Sequence, residues 1–233
     1  MTLQYHLICN KSFPTSADLE IRNRVYSLWK SNWEKIYADQ GAHHVPTADD
    51  FTRHDLLSVL MTDQDQLVGF SCHTFLDFHE LSTYDRDYFS MFGKNYSQAL
   101  KAMKIDRVMT FESLVVRPEF QRNTWGLPLG RLIMRLNSYM LSETSAEAMM
   151  AVARKDNGVS QNLTVLGYQM IESDKICRGF PCDLQTLSRG RHLLEINDKT
   201  EPHAGNLWQM RTVHGGKAFY DLPTQQPAST KAA

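Results

Sequence analysis

The stretch "PEFQRNTWGLPLGRL", Pro118 to Leu132, joins an apolar segment, "FESLVV", to a second one, "LIMRLNSYML". This pattern predicts a strand that runs through a polar, glycine-containing turn into a helix. The first helical turn has unpartnered backbone N–H groups and the positive end of the macrodipole, so a phosphate binds there readily. The turn is not a P-loop, since GxxxxGKS/T is absent, and not a dinucleotide loop, since GxGxxG is absent. Glu112 lies two residues before Leu114 in the apolar strand. Burial there would raise its carboxyl pKa. The competing reading is a strand-edge Glu that faces solvent or an arginine.

Other candidates have bland alternatives. His43 and His44 sit in a Gly/Pro loop near Asp49 and Asp50, but no third ligand at a suitable spacing accompanies them, so no metal is expected. His73 alternates within an apparent strand and would face a pocket or solvent. Trp29 and Trp33 lie four apart on a helical pattern, which points to core packing or a pocket wall. Cys9, Cys72, Cys177 and Cys182 form neither a CxxC pair nor a zinc spacing, so four reduced thiols in a cytoplasmic protein are expected.

These residues must be positioned by a mixed set of elements. "SADLEIRNRVYSLWKSNWEKIYADQ" predicts an amphipathic helix with Leu19, Val25, Leu28, Trp29, Trp33 and Ile36 on its apolar stripe. "DLLSVLMTDQDQLVGFSCHTFLDF" predicts two strands joined by a tight polar turn. A helix with an irregular lead-in, the strand "DRVMTFESLVV", a helix from about Gly126 to Ser142 and "AEAMMAVARK", a short apolar run expected as a strand with a helix as the alternative, follow. "NGVSQNLTVLGYQMI" predicts a short helix that stops at Gly167 before another strand. "RHLLEI" and "NLWQMRTV" are expected as late strands, and "GFPCD" as a turn. The order implies an α/β (α+β) fold, with one domain over residues 1–215 and a disordered Pro/Ser/Thr/Ala-rich tail at 216–233.

The net charge of −1, with Lys and Arg scattered, gives no nucleic-acid footprint. No apolar run approaches the roughly 18 residues that span a bilayer, and the N-terminus lacks a basic region followed by an apolar core. Neither nucleic acid nor membrane is therefore an expected partner.

Counted from Pro118, "VVRPEFQRNTWG" resembles the acetyl-CoA loop of GNAT-type N-acyltransferases, V-x-P-x-x-Q/R-x-x-G/A-x-G/A. Val116, Pro118, Gln121, Thr124 and Gly126 fall in register, with Thr124 departing at the first small position and Trp125 at a variable one. Downstream, "DNGVSQNLTVLGYQMI" is similar to the family's later segment, with Leu166, Gly167 and Tyr168 matching and Asn157 within one residue. The tyrosine that commonly precedes that glycine by four residues is here Leu163. Together these motifs cover Asp106 to Ile171.

The resemblance implies a mostly antiparallel mixed sheet flanked by helices, and acyl transfer from acetyl-CoA or another acyl-CoA to a primary amine. The backbone of Leu114, Val115 and Val116 would pair with the pantetheine arm. The loop from Gln121 through Arg122, Asn123, Thr124, Trp125 and Gly126 would hold the pyrophosphate. Glu112 would act as the base. Tyr168 is a second catalytic candidate against simple packing on the sheet, and Asn157 a pantetheine contact against simple capping. The acceptor is expected to be a small amine, with a protein as the alternative, and a homodimer is compatible. "RNRVYSLWKSNW" and "DDFTRHDLL" also resemble acyl-homoserine-lactone and long-chain N-acyl amino acid synthases at Arg24, Trp33, Asp50 and Phe51. That likeness implies a long acyl chain from acyl carrier protein, with Trp33 in an acyl pocket. A non-catalytic acyl-CoA sensor is the remaining alternative.

Overall fold

The computed structural model describes residues 2–11, 15–41, 45–84, 86, 88, 95–121, 126–191 and 199–215. Thr15 and Asp18 form a capping box that starts α1 (Ser16–Asp39). Ile21, Val25, Trp29 and Tyr37 recur at helical spacing and are buried, whereas Leu19 is exposed and leaves the expected stripe. A second capping box, Thr47 with Asp50, starts the short α2 (Ala48–Thr52).

Among the described residues, nine strands form one mixed, mostly antiparallel sheet. They are β1 (Leu3–Cys9), β2 (Leu56–Thr62), β3 (Leu67–His73), β4 (Phe75–Asp77), β5 (Arg107–Val116), β6 (Ala148–Arg154), β7 (Gln169–Cys177), β8 (Phe180–Ser188) and β9 (Thr212–His214). The order is β7-β8-β6-β5-β3-β2-β1-β9, with β4 also paired to β5. Only β5–β6 and β1–β9 pair in parallel. The remaining helices are α3 (Leu81–Tyr84), α4 (Asn95–Ala102), α5 (Pro118–Gln121), α6 (Leu129–Glu143), α7 (Val159–Val165) and α8 (Glu201–Gln209).

Successive strand residues point to opposite faces. Leu57, Val59 and Met61 of β2 therefore pack under α1 and α2 with Val25, Trp29 and Phe51. Leu56 and Leu60 pack on the other side with Leu132, Ile133 and Leu136 of α6. With helices on both faces, β2 and β3 are buried along their whole length. Gly69 of β3 lets β5 approach closely, because a Cβ there would stand 2.6 Å from the Val115 carbonyl oxygen and 3.1 Å from Ile133 Cδ1.

Several expectations are corrected. Leu3–Cys9 opens the sheet ahead of the first helix. "NLWQ" belongs to α8, where Ala204, Leu207 and Trp208 are buried at i, i+3 and i+4, and only Thr212–His214 is strand. Of "GFPCD" only Gly179 is in the turn: with Arg178 before it, at φ values of 50° and 88°, it makes a two-residue hairpin that leads directly into β8. The long helix starts at Leu129, with Pro128 at its N-cap. "RHLLEI" extends into residues 192–198, which, like 216–233, lie outside the described residues.

Candidate active site

The chemistry-bearing part of β5 begins where its regularity ends. The parallel ladder to β6 runs from Val108↔Ala148 to Phe111↔Ala151 and stops, although β5 continues to Val116 and β6 to Arg154. β5 stays paired to β3 on its other side. The β6-facing edge of Leu114–Val116 thus has no strand partner among the described residues, and an unpaired edge is a template for another extended chain. Ser113 sits at the divergence with φ +54°, a left-handed conformation uncommon outside glycine. Its bulge shifts the β3–β5 register between Phe70 and Cys72. The bulge also resets the alternation: Met109 and Phe111 face the α6 side before it, and Leu114 and Val116 do so after it.

A cavity of about 310 Å³ opens over this divergence on the α1 and α2 side. Trp29, Trp33 and Tyr37 form one wall, and Val152, Arg154, Cys177, Arg178 and Phe180 line it from β6, β7, β8 and their hairpin. The Arg154 guanidinium stacks on Phe180, 3.8 Å from the ring centroid. Trp33 Nε1 is a buried donor with no partner among the described residues.

Glu112 borders the cavity. Its two oxygens face the Arg53 guanidinium in a bidentate pair. The Thr110 hydroxyl donates to Oε1 at 2.6 Å, and His54 Nε2 lies 3.5 Å from Oε2. Burial pushes the carboxyl pKa up, but the His54 contact, the Arg53 charge and the Thr110 hydroxyl outweigh it and hold the group at about 2. The expected rise is therefore corrected: the apolar run supplied the burial, and Arg53 and His54, 59 and 58 positions upstream in sequence, supplied the charge. Nothing local in the sequence marked these two residues or Thr110 as its partners.

Tyr168 is not brought to the cavity. It packs in the α6-side core with its hydroxyl 2.9 Å from the Met149 sulfur, and burial pushes its pKa far up. Asn157 is exposed and caps the turn before α7, its Oδ1 accepting from the Val159 N–H at 3.1 Å. His73 faces neither pocket nor solvent; it is fully buried between the Thr110 carbonyl and the Ser71 hydroxyl. Gln121 turns back to donate to the Val116 carbonyl at 2.6 Å. Arg122, Asn123, Thr124 and Trp125, like His43 and His44, lie outside the described residues. Gly126, beyond that loop, has φ +67°. The helix that follows has no side-chain N-cap and no acidic residue in its first turn. It instead carries Arg131 there, hydrogen-bonded to Asn162 at 2.6 and 3.1 Å. Gly130 rests on Leu114 and Val116, so this helix start lies against the unpaired edge.

Among the described residues, no helix is long and apolar enough to cross a membrane. No protein-family model matches the sequence, and no curated protein matches it. Solved structures match its shape. Arylalkylamine N-acetyltransferase 2 from Aedes aegypti aligns over 81% of this chain and 99% of its own, at 7% identity and a TM-score of 0.56. The CoA-dependent acyl-homoserine lactone synthase BjaI, solved with SAM and isopentyl-CoA, aligns over 91% and 92%, at 9% identity and a TM-score of 0.55. FeeM, an N-acyl amino acid synthase from uncultured soil microbes, aligns over 83% and 98%, at 11% identity and a TM-score of 0.51. The fold is that of the GNAT-type N-acyltransferases, as the two motifs implied.

Proposed function

We propose that this chain moves an acyl group from acyl-CoA to the primary amine of a small molecule. The single observation that carries the reading is the divergence of β5 from β6 beneath a cavity that holds Glu112. The unpaired edge of Leu114–Val116 offers amide groups to a pantetheine arm. The uncapped start of α6, with Arg131 and Gly126 nearby, offers donors and positive charge to phosphates. The thioester carbonyl then lies where the strands part, and the amine reaches it from the cavity. Backbone N–H groups at the divergence stabilise the developing oxyanion. Glu112 takes the proton that the acceptor ammonium must lose before it attacks.

A volume of about 310 Å³ is at the small end of ligand cavities, which supports a small acceptor over a protein. A short acyl group such as acetyl fits the same limit. A longer chain, from CoA or acyl carrier protein, is favoured by one feature, the aromatic wall of Trp29, Trp33 and Tyr37. Heat stabilisation by acetyl-CoA, but not by NAD or ATP, tests the donor, because a ligand that binds only the folded state raises stability. No shift with any acyl-CoA or acyl carrier protein contradicts the reading. A shift without turnover of any amine points to a sensor.

A further inference from the structure

Cys177 and Cys182 lie on the two strands of the β7–β8 hairpin, and both line the cavity. Residues opposite each other on an antiparallel pair share a face. Cys177 pairs with Phe180 and Lys175 with Cys182, so the two thiols are diagonal neighbours on the cavity side of the hairpin. They are hydrogen-bonded to each other. The pair is unsymmetrical. Cys177 is half-buried, whereas Cys182 is 2% exposed and packs with Phe180 and Tyr37. The Cys177 hydrogen bond and burial push the Cys182 thiol well up, so Cys182 keeps its hydrogen and donates it to the Cys177 sulfur. Cys177 is therefore the sulfur that a reagent in the cavity meets first, with a second thiol held against it. An accessible cysteine beside a buried one is the arrangement of an attacking and a resolving thiol. Cys9 and Cys72 lie on β1 and β3, outside the cavity lining.

We propose that Cys177 and Cys182 form a reversible disulfide across this wall of the cavity when the protein meets a small-molecule disulfide such as oxidised glutathione. The bond rests on the geometry of the hairpin; its effect on turnover rests on the acyl-transfer reading. The Cys177 sulfur, as thiolate, attacks one glutathione sulfur, the S–S bond of the reagent breaks, and a glutathione thiolate leaves. That thiolate takes the Cys182 proton. The Cys182 sulfur then attacks the Cys177 sulfur, and the second glutathione leaves as a thiolate, which takes up the proton that Cys177 released. Two protein thiols are oxidised, and one glutathione disulfide is reduced to two thiols. Diagonal partners stand roughly 7–8 Å apart at Cα, and a disulfide spans about 4.4–6.8 Å. Bond formation therefore draws the end of the hairpin together. Arg178 sits at that end and donates to the Tyr37 hydroxyl at 3.3 Å, which ties the hairpin to α1. Closure strains this tie, so the shape of the cavity follows the redox state of the pair.

The test treats the full chain with excess oxidised glutathione and maps its cysteines by mass without reduction. Trypsin cuts after Arg178 and so separates the two. The proposal predicts peptides linked through Cys177 and Cys182, with no glutathione retained on either, and reversal by dithiothreitol. Cys182→Ser should trap glutathione on Cys177. Cys177→Ser should leave the buried Cys182 unmodified. Persistent glutathione on Cys177 of the wild-type chain, two unmodified thiols, or a link to Cys9 or to a second chain in place of the Cys177–Cys182 bond overturns the proposal. Turnover is read on the same samples. The oxidised wild-type chain should lose amine turnover and regain it with dithiothreitol, and Cys177→Ser, compared with its own untreated form, should lose none. Equal loss in that variant overturns the link between the bond and the cavity. Absence of turnover in every form refutes the acyl-transfer reading separately, since the mapped bond does not depend on it.

Discussion

The indole N–H of Trp29 donates to the Ser113 hydroxyl at 3.2 Å, which ties the middle of α1 to the residue where β5 leaves β6. Ser113 is held with φ +54° at that point. The contact couples the helix that walls the cavity to the bulge that opens it. Trp29→Phe keeps most of the packing against Phe51 and Tyr26 but removes the donor. It is expected to cost about 1 kcal/mol, read as a lower urea midpoint with an unchanged slope. A change in slope points to a different denatured state or to loss of two-state behaviour.

Arg53 and Glu112 should separate by function when each is altered. Glu112→Gln is expected to lower kcat about a hundredfold or more while protein yield and far-UV spectrum hold. Unchanged turnover and pH profile contradict the assignment of Glu112 to proton transfer. Arg53→Met leaves a carboxylate that is 8% exposed without its cation. The carboxyl pKa should rise, the acid limb should move to higher pH, and stability near pH 7 should fall by about 3 kcal/mol.

Acid should unfold the protein in two stages. Burial lowers the His73 pKa from 6.5 to about 4, so the folded state resists a proton that the unfolded chain accepts. Its contribution is fully present above pH 6.5 and is lost as pH falls toward 4, by about 3 kcal/mol. Glu112, held at about 2 against an ordinary 4.5, loses its contribution as pH falls from 4.5 through 2. Urea midpoints at pH 7, 5.5, 4 and 2.5 should therefore decline with each step, and His73→Gln should flatten the decline between pH 7 and 4. An equal decline in that variant assigns the loss elsewhere.

Gly69→Ala tests the close approach of β3 and β5. The added methyl meets the Val115 carbonyl at 2.6 Å, backbone that cannot move without disturbing the bulge. A loss of about 1–3 kcal/mol is expected from overpacking, with a fall in activity beyond that of a Gly130→Ala control. At Gly130 the nearest side-chain atoms are 3.9 Å away, an ordinary contact.

The sequence carried the acyltransferase fold through two short motifs, because a strand, a turn and a helix start need particular residues at fixed spacing. It carried the β2–β3 hairpin through "TDQDQ" and the α1 stripe through its period. It did not carry the ends of the sheet. "NLWQ" has strand-like residue types, yet Ala204, Leu207 and Trp208 bury a helical face against α6, so packing overrode composition. In the site, Glu112 was legible as a carboxylate in an apolar strand, but the sign of its pKa shift was not. That sign depends on Arg53 and His54, which are brought to it only by the β2–β3–β5 pairing. For Tyr168 the sequence left catalysis and packing on the sheet both open, because adjacency to Gly167 says where the helix stops, not which way the ring points; the structure shows the packing. The bulge at Ser113 was also invisible, since no glycine marks it.

Amine-dependent transfer from a thioester separates an acyltransferase from a sensor. The most direct measurement incubates the full chain with acetyl-CoA, a longer acyl-CoA or an acyl carrier protein thioester, each with a panel of small primary amines. Free thiol and the N-acylated product are quantified together by mass. The account predicts stoichiometric thiol and amide with at least one amine, absent without the amine and reduced about a hundredfold in Glu112→Gln. Thiol release that ignores the amine, or no amide from any donor with folded protein, contradicts it.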